Sequence, residues 1–125
     1  MRNCVLIIEH DPSVSRFMQL KLEEEGFSCL IDNTGEAAVD LAGQRQVDLI
    51  LLDYEMPVVD GSTVLEMIRS EAYTEDIPVF FLTGKSDMKT VMKLLDLKPD
   101  GYLLKSMSGF KILNAIAEFF EKRGQ

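Results

Sequence analysis

Apolar residues gather in five short blocks along the chain: Cys4–Ile8, Ser28–Ile31, Leu49–Leu52, Pro78–Leu82 and Tyr102–Leu104. Most are rich in Val, Ile, Leu or Phe and show no polar alternation. That pattern predicts strands buried on both faces, as in a parallel sheet. Between the blocks, apolar residues recur at helical spacing. Asp11 is placed to cap a first helix and Pro12 to open it. Val14, Phe17, Met18, Leu20 and Leu22 follow, and Glu23-Glu24-Glu25-Gly26 ends the run. Thr34 is expected to cap a second helix, with Ala38, Val39, Leu41 and Ala42 on its buried side. A third starts near Ser62 and carries Val64, Leu65 and Ile68. Ser86 is expected to cap a fourth, with Val91, Met92, Leu94 and Leu95. Ser108 is expected to cap a fifth, with Ile112, Leu113, Ile116, Phe119 and Phe120.

Strand and helix thus alternate five times. Such alternation predicts an α/β fold with helices on both faces of a parallel sheet. Right-handed crossovers and short links favour a doubly wound, flavodoxin-like sheet, with five strands in the order 2-1-3-4-5 and five helices. No linker, low-complexity tract or internal repeat interrupts the pattern, so residues 1–125 are read as one domain. No apolar run approaches the roughly 18 residues of a membrane span. Met1-Arg2-Asn3 leads directly into the first strand. No membrane partner and no signal peptide are expected, and a cytoplasmic location is.

Composition narrows the function. Hydrophobic residues make up 46% of the chain, enough for a real core, and the formal net charge is -8. Such acidity argues against direct nucleic-acid binding, which calls for a basic surface. It suits a domain that binds cations or basic protein patches, and it equally suits plain solubility. The two cysteines, Cys4 and Cys29, form no CxxC or Cys/His cluster. They read as buried thiols in a reducing compartment rather than as a disulfide or a zinc site.

In open α/β sheets, ligands bind beyond the carboxyl ends of the strands. The first block there runs into Glu9-His10-Asp11, and the second into Asp32-Asn33 toward the sheet edge. The third runs into Asp53, the fourth into Thr83-Gly84 and the fifth into Lys105. Together these residues suit phosphoryl transfer. A carboxylate can accept a phosphoryl group. Neighbouring acids can hold a metal that neutralises its oxygens. A lysine supplies further positive charge. Any one of these residues has an ordinary structural explanation as a cap, turn or solvated side chain. Their joint placement at successive strand ends is the specific signal.

At this point the chain resembles the receiver domain of two-component response regulators, the CheY-like fold, over essentially its whole length. "LLDYEMPVVDG" matches the family's D-x-x-M-P-x-x-D-G segment, "VFFLTG" its fourth strand and "DGYLLK" its fifth. The resemblance implies a phosphorylation-dependent switch in phosphorelay signalling, with Asp53 as phosphoacceptor for a sensor histidine kinase or phosphotransfer protein. It implies that Thr83 and Lys105 contact the phosphoryl group and that Tyr102 is the aromatic that turns inward as Thr83 moves. Glu9, Asp53 and the backbone carbonyl of Glu55 would bind Mg²⁺. A downstream protein would meet the face of the fourth helix, fifth strand and fifth helix, and a homodimer is possible. The only chemistry implied is self-catalysed phosphoryl transfer and dephosphorylation, so the chain is not read as an enzyme.

Three departures from the family pattern stand out, one of them "LKPDG" where the family often has Gly-Ala before its fifth strand. The acidic pair at the end of the first strand reads Glu9-His10, with His10 where an acid normally coordinates Mg²⁺. Imidazole is a poor ligand for that hard cation. His10 therefore weakens Mg²⁺ binding, favours Mn²⁺ or another divalent ion, substitutes its own charge, or points away. Ser106 follows Lys105 where the family usually has proline, leaving the isomer of that peptide bond open. Glu55 and Lys85 flank the pocket and are placed to pair across it. Two other functions compete. One is a pseudo-receiver that works without phosphorylation, supported by His10 and Ser106. The other is a haloacid dehalogenase-type phosphatase, which wants Asp where Glu55 stands.

Overall fold

In the computed structural model, which describes residues 3–44 and 46–124, each apolar block is a strand followed by a helix. The elements are β1 (Cys4–Ile8), α1 (Pro12–Glu24), β2 (Ser28–Asp32), α2 (Ala38–Gln44), β3 (Leu49–Asp53), α3 (Gly61–Arg69), β4 (Val79–Thr83), α4 (Met88–Asp96), β5 (Gly101–Leu104) and α5 (Gly109–Lys122). The strands pair in parallel in the order β2-β1-β3-β4-β5, as the alternation predicts. Met1 and Arg2, on which the expectation about a signal peptide rests, lie outside the described residues. Among the described residues, no helix is long and apolar enough to cross a membrane.

Alternation along each strand divides the core in two. Leu6, Ile8, Ile50, Leu52, Val79 and Phe81 pack against Ala38, Ala42, Val64, Leu65, Ile68 and Leu94, which come from α2, α3 and α4. Val5, Ile7, Leu49, Leu51, Phe80, Leu82 and Leu103 face the other way, onto Met18 and Leu22 of α1 and Ile112, Ile116 and Phe120 of α5. Both sheet faces are therefore dry at the centre. A helix presents only one stripe to such a face, so some residues of each apolar run stay outside. Phe17 and Leu20 of α1, and Met88, Met92 and Leu95 of α4, are exposed. Cys4 is buried, Cys29 is only partly so, and both are free thiols. Burial pushes the Cys29 thiol up to about 12.

The helix starts follow hydrogen bonding more closely than residue type. Asp11 caps α1 by accepting from the Ser13 N–H, with Pro12 in the first turn, and Ser108 caps α5 by accepting from the Lys111 N–H. α3 begins at Gly61, next to the expected start near Ser62, and Asp60 caps it through the Thr63 N–H. The expected cap of α4 shifts: Asp87, not Ser86, accepts from the Thr90 N–H. In each case an aspartate one or two residues from the serine supplies the charged acceptor, which suits a helix N-terminus. Before α2, Thr34 does accept from the Glu36 N–H, but Asp32 does most of the work, accepting from the N–H groups of Thr34, Gly35 and Ala37.

Gly61 opens α3 hard against the end of β3. A Cβ there would stand 2.6 Å from the Asp53 carbonyl oxygen and 2.8 Å from Tyr54 Cα. Both are backbone atoms and have no rotamer by which to escape. The glycine thus fixes how closely α3 approaches the strand that carries Asp53. Gly61→Ala should cost about 1–3 kcal/mol of unfolding free energy in urea, the usual range for overpacking. Unchanged stability would refute this account of the glycine.

Candidate functional site

Parallel pairing brings the strand ends to one edge. Ile8 pairs with Leu52, which sets Glu9 and Asp53 side by side one residue further on. Asp53 pairs with Leu82, and Thr83 with Leu104, so Thr83 and Lys105 close the same edge. Glu9 and Asp53 are both fully buried. Two adjacent buried carboxylates are very costly unless they are neutralised.

Two nitrogen-bearing side chains straddle them. The Lys105 ammonium lies 2.8 Å from Glu9 Oε1 and 3.0 Å from Asp53 Oδ1. On the other side, His10 Nδ1 hydrogen-bonds Asp53 Oδ2 and lies 3.2 Å from Glu9 Oε2. Both neighbours of Nδ1 are acceptors, so that nitrogen is assigned the ring proton. The Asp11 N–H donates to Glu9 Oε2 at 2.9 Å, and the Glu55 N–H to Asp53 Oδ1 at 3.1 Å. Glu9 Oε1 receives no well-directed hydrogen bond among the described residues, so its short approach to Lys105 is a contact of charges. Burial pushes the Glu9 carboxyl above its ordinary value; Lys105 and the Asp11 N–H offset part of this, and the Asp53 charge adds to it. Burial alone would lower Lys105, but its bonds to Glu9 and Asp53 outweigh it and hold the ammonium above its ordinary value.

Thr83 is fully buried beside this group, and its hydroxyl donates to Glu55 Oε2 at 2.8 Å. Glu55 Oε1 accepts the Gly84 N–H at 3.0 Å. The expected pairing of Glu55 with Lys85 is therefore not formed, because the two donors at the end of β4 take the carboxylate first. This use of the Glu55 side chain was not foreseen; spacing placed it near Asp53 but could not say which way it turns. Tyr102 shares a sheet face with Thr83 and is 37% exposed, outside the polar cluster. Asp32 and Asn33 stay out of it too. Asp32 ties down the turn into α2, and the Asn33 side-chain amide donates to the Glu9 carbonyl and to Ser15 Oγ. The Lys105–Ser106 peptide is trans.

Glu9, His10 and Asp53 bring potential ligand atoms within 4.8 Å of one another. The donor set is two carboxylates and one imidazole, with a lysine already on both carboxylates. That set does not suit Mg²⁺, which demands an octahedron of hard oxygens. A mixed nitrogen and oxygen set suits first-row transition ions better.

The comparisons place the chain in a known class. The model of the response regulator receiver domain family matches residues 5–117, and the chain belongs to that family. It is 36% identical to the transcriptional regulatory protein PcoR of Escherichia coli over 101 residues, which cover 81% of this chain and 44% of that protein. It is 38% identical over 101 residues to the DNA-binding dual master transcriptional regulator RpaA of Synechocystis, covering 81% and 42%. The chain thus spans about half the length of these curated relatives. In fold it is similar to the chemotaxis protein CheY4 of Vibrio cholerae, with a TM-score of 0.87 at 19% identity over 94% of this chain and 98% of that one. It is also similar to a receiver domain of a histidine kinase from Syntrophus aciditrophicus, with a TM-score of 0.84 at 25% identity over 96% and 91%. Receiver domains generally bind Mg²⁺ at an acidic pocket, and here the corresponding group is Glu9, His10 and Asp53.

The raised carboxyl of Glu9 has a stability consequence with a definite sign. The folded chain holds this proton more tightly than the unfolded chain, whose value is near 4.5. Stability from this group is therefore greatest at low pH and falls as pH rises from 4.5 through the folded value. The unfolding free energy of the native chain minus that of Glu9→Gln should fall across this window in urea titrations. A difference independent of pH would contradict the assignment.

Proposed function

We propose that the chain is a phosphorylation-dependent signalling switch with Asp53 as its phosphoacceptor. The observation that carries this reading is the Lys105 ammonium held between the Glu9 and Asp53 carboxylates at the sheet edge. The donor is a phosphohistidine on a sensor kinase or phosphotransfer protein. An Asp53 oxygen forms the bond to phosphorus, the bond from phosphorus to the histidine nitrogen breaks, and the departing imidazole takes a proton. Lys105 neutralises the charge gathered on the transferred oxygens, and Thr83 supplies a hydroxyl to one of them. His10 covers Asp53 from the side opposite Lys105 and contributes a nitrogen donor where Mg²⁺ wants oxygen. The switch therefore depends less on Mg²⁺ than an all-acid pocket would, and Mn²⁺ or another transition ion replaces it more readily.

Tyr102, which shares a sheet face with Thr83, turns inward as Thr83 moves and couples the site to the face of α4, β5 and α5. That face exposes Met88, Met92, Leu95 and Tyr102 for a downstream protein or a second copy of the chain. A DNA-binding output, as the name of RpaA states for that protein, would belong to a part of the molecule beyond this receiver. One observation favours a second reading, a pseudo-receiver that works without phosphorylation. Asp53 is fully buried and both of its oxygens are engaged.

Incubation with phosphoramidate in Mg²⁺, Mn²⁺ or EDTA, followed by intact mass, separates the two. The expected result is one added phosphoryl group, absent in Asp53→Asn. Its formation should be stimulated less by Mg²⁺ in the native chain than in His10→Asp, where the oxygen ligand is restored. No adduct under any condition would leave the pseudo-receiver reading standing.

A further inference from the structure

The Glu55 carboxylate is an anion seated on the Thr83 hydroxyl, which the proposed function assigns to a phosphoryl oxygen, and on the adjacent Gly84 N–H, a donor within reach of the same group. The Thr83 hydroxyl has one proton. The Lys85 N–H donates to Thr83 Oγ1 at 3.0 Å, so that oxygen is already serving as an acceptor, and its own proton goes to Glu55 Oε2 at 2.8 Å. The other carboxylate oxygen takes the Gly84 N–H at 3.0 Å. A hydroxyl and a backbone N–H, adjacent in sequence at the end of β4, thus grip one carboxylate. Its own backbone N–H is bonded to Asp53 Oδ1, so the carboxylate cannot stand far from the phosphoacceptor.

We infer that Glu55 is a latch that holds Thr83 and Gly84 in the unphosphorylated arrangement and must be displaced before either can serve a phosphoryl group on Asp53. The inference rests on the reading of Asp53 as phosphoacceptor. A phosphoryl oxygen and the Glu55 carboxylate compete for the same two donors and repel one another. Glu55 is only half-buried, so it has a route outward to water. Because the two occupants exclude each other, Glu55 raises the threshold for phosphorylation, and phosphorylation frees Glu55 by the same coupling. Thr83 then moves only after it has exchanged one anionic partner for another. Glu55 acts through Thr83 and is a positioning residue.

The test is a double-mutant cycle on the rate of phosphoramidate labelling, read by intact mass. Glu55→Ala should label about tenfold faster than the native chain, the factor expected from losing one charge-assisted hydrogen bond. In a Thr83→Ala background the gain should shrink to about threefold, the share left to Gly84. Glu55→Gln, which still accepts from Thr83 but carries no charge, should fall between the native chain and Glu55→Ala. In the unphosphorylated protein, the Gly84 amide proton should move upfield in Glu55→Ala as it loses its carboxylate partner. Label on Glu55→Ala but none on the native chain would support the latch in its strongest form. An unchanged labelling rate, an equal gain in both backgrounds or an unmoved Gly84 amide would overturn the latch and leave the phosphoacceptor reading intact. No label on any variant would overturn that reading and the latch with it.

Discussion

Two carboxylates with no access to water sit side by side at the edge of the sheet, and the surrounding structure answers that cost. Glu9 and Asp53 end neighbouring parallel strands whose preceding residues are entirely buried. Burying two adjacent carboxylates is very costly if nothing opposes it. Lys105 opposes it from the residue after β5, two strands away from β3, and His10 opposes it from two residues beyond β1. Neither side chain can move without taking a partner from a buried carboxylate. The pocket is therefore tense by construction, and a group that brings or removes charge there is well placed to shift the structure around it.

The sheet makes this possible because its strands all run the same way. Their carboxyl ends must lie together, and the helices that follow begin there. Gly61 lets α3 press against the end of β3, so the loop carrying Glu55 is held over Asp53 instead of drifting into solvent. That constraint turns the Glu55 side chain toward Thr83 and Gly84. Two networks result: one neutralises the acids, and the other fastens the end of β4. They meet at Asp53 Oδ1, which takes both the Lys105 ammonium and the Glu55 N–H.

His10 departs most from the family pattern, yet it points into the site and not away from it. The resemblance led to the expectation of an altered metal corner, and the geometry gives that alteration a form. The imidazole lies against both carboxylates, Glu9 and Asp53. The expected pairing of Glu55 with Lys85 failed for a different reason. Side-chain spacing across a pocket says which groups are near, while the choice among neighbours goes to the donor held most rigidly. Here those donors were a buried hydroxyl and a backbone amide, not a flexible exposed lysine.

The periodicity of apolar residues was enough to determine the strands, the helices and the order of the sheet, because burial on both faces leaves no polar alternation and right-handed crossovers leave few arrangements. Motif spacing was enough to bring Glu9, Asp53, Thr83 and Lys105 to one edge, since strand ends in a parallel sheet cannot do otherwise. Serine was expected in place of aspartate at the start of α4 because a hydroxyl and a carboxylate one residue apart are both competent caps, and only backbone direction selects between them. Which way His10 and Glu55 turn was decided by the tertiary structure alone. Each has several partners within reach along the chain, and the energy that chooses among them comes from desolvation and donor rigidity, which exist only once the strands have been packed together.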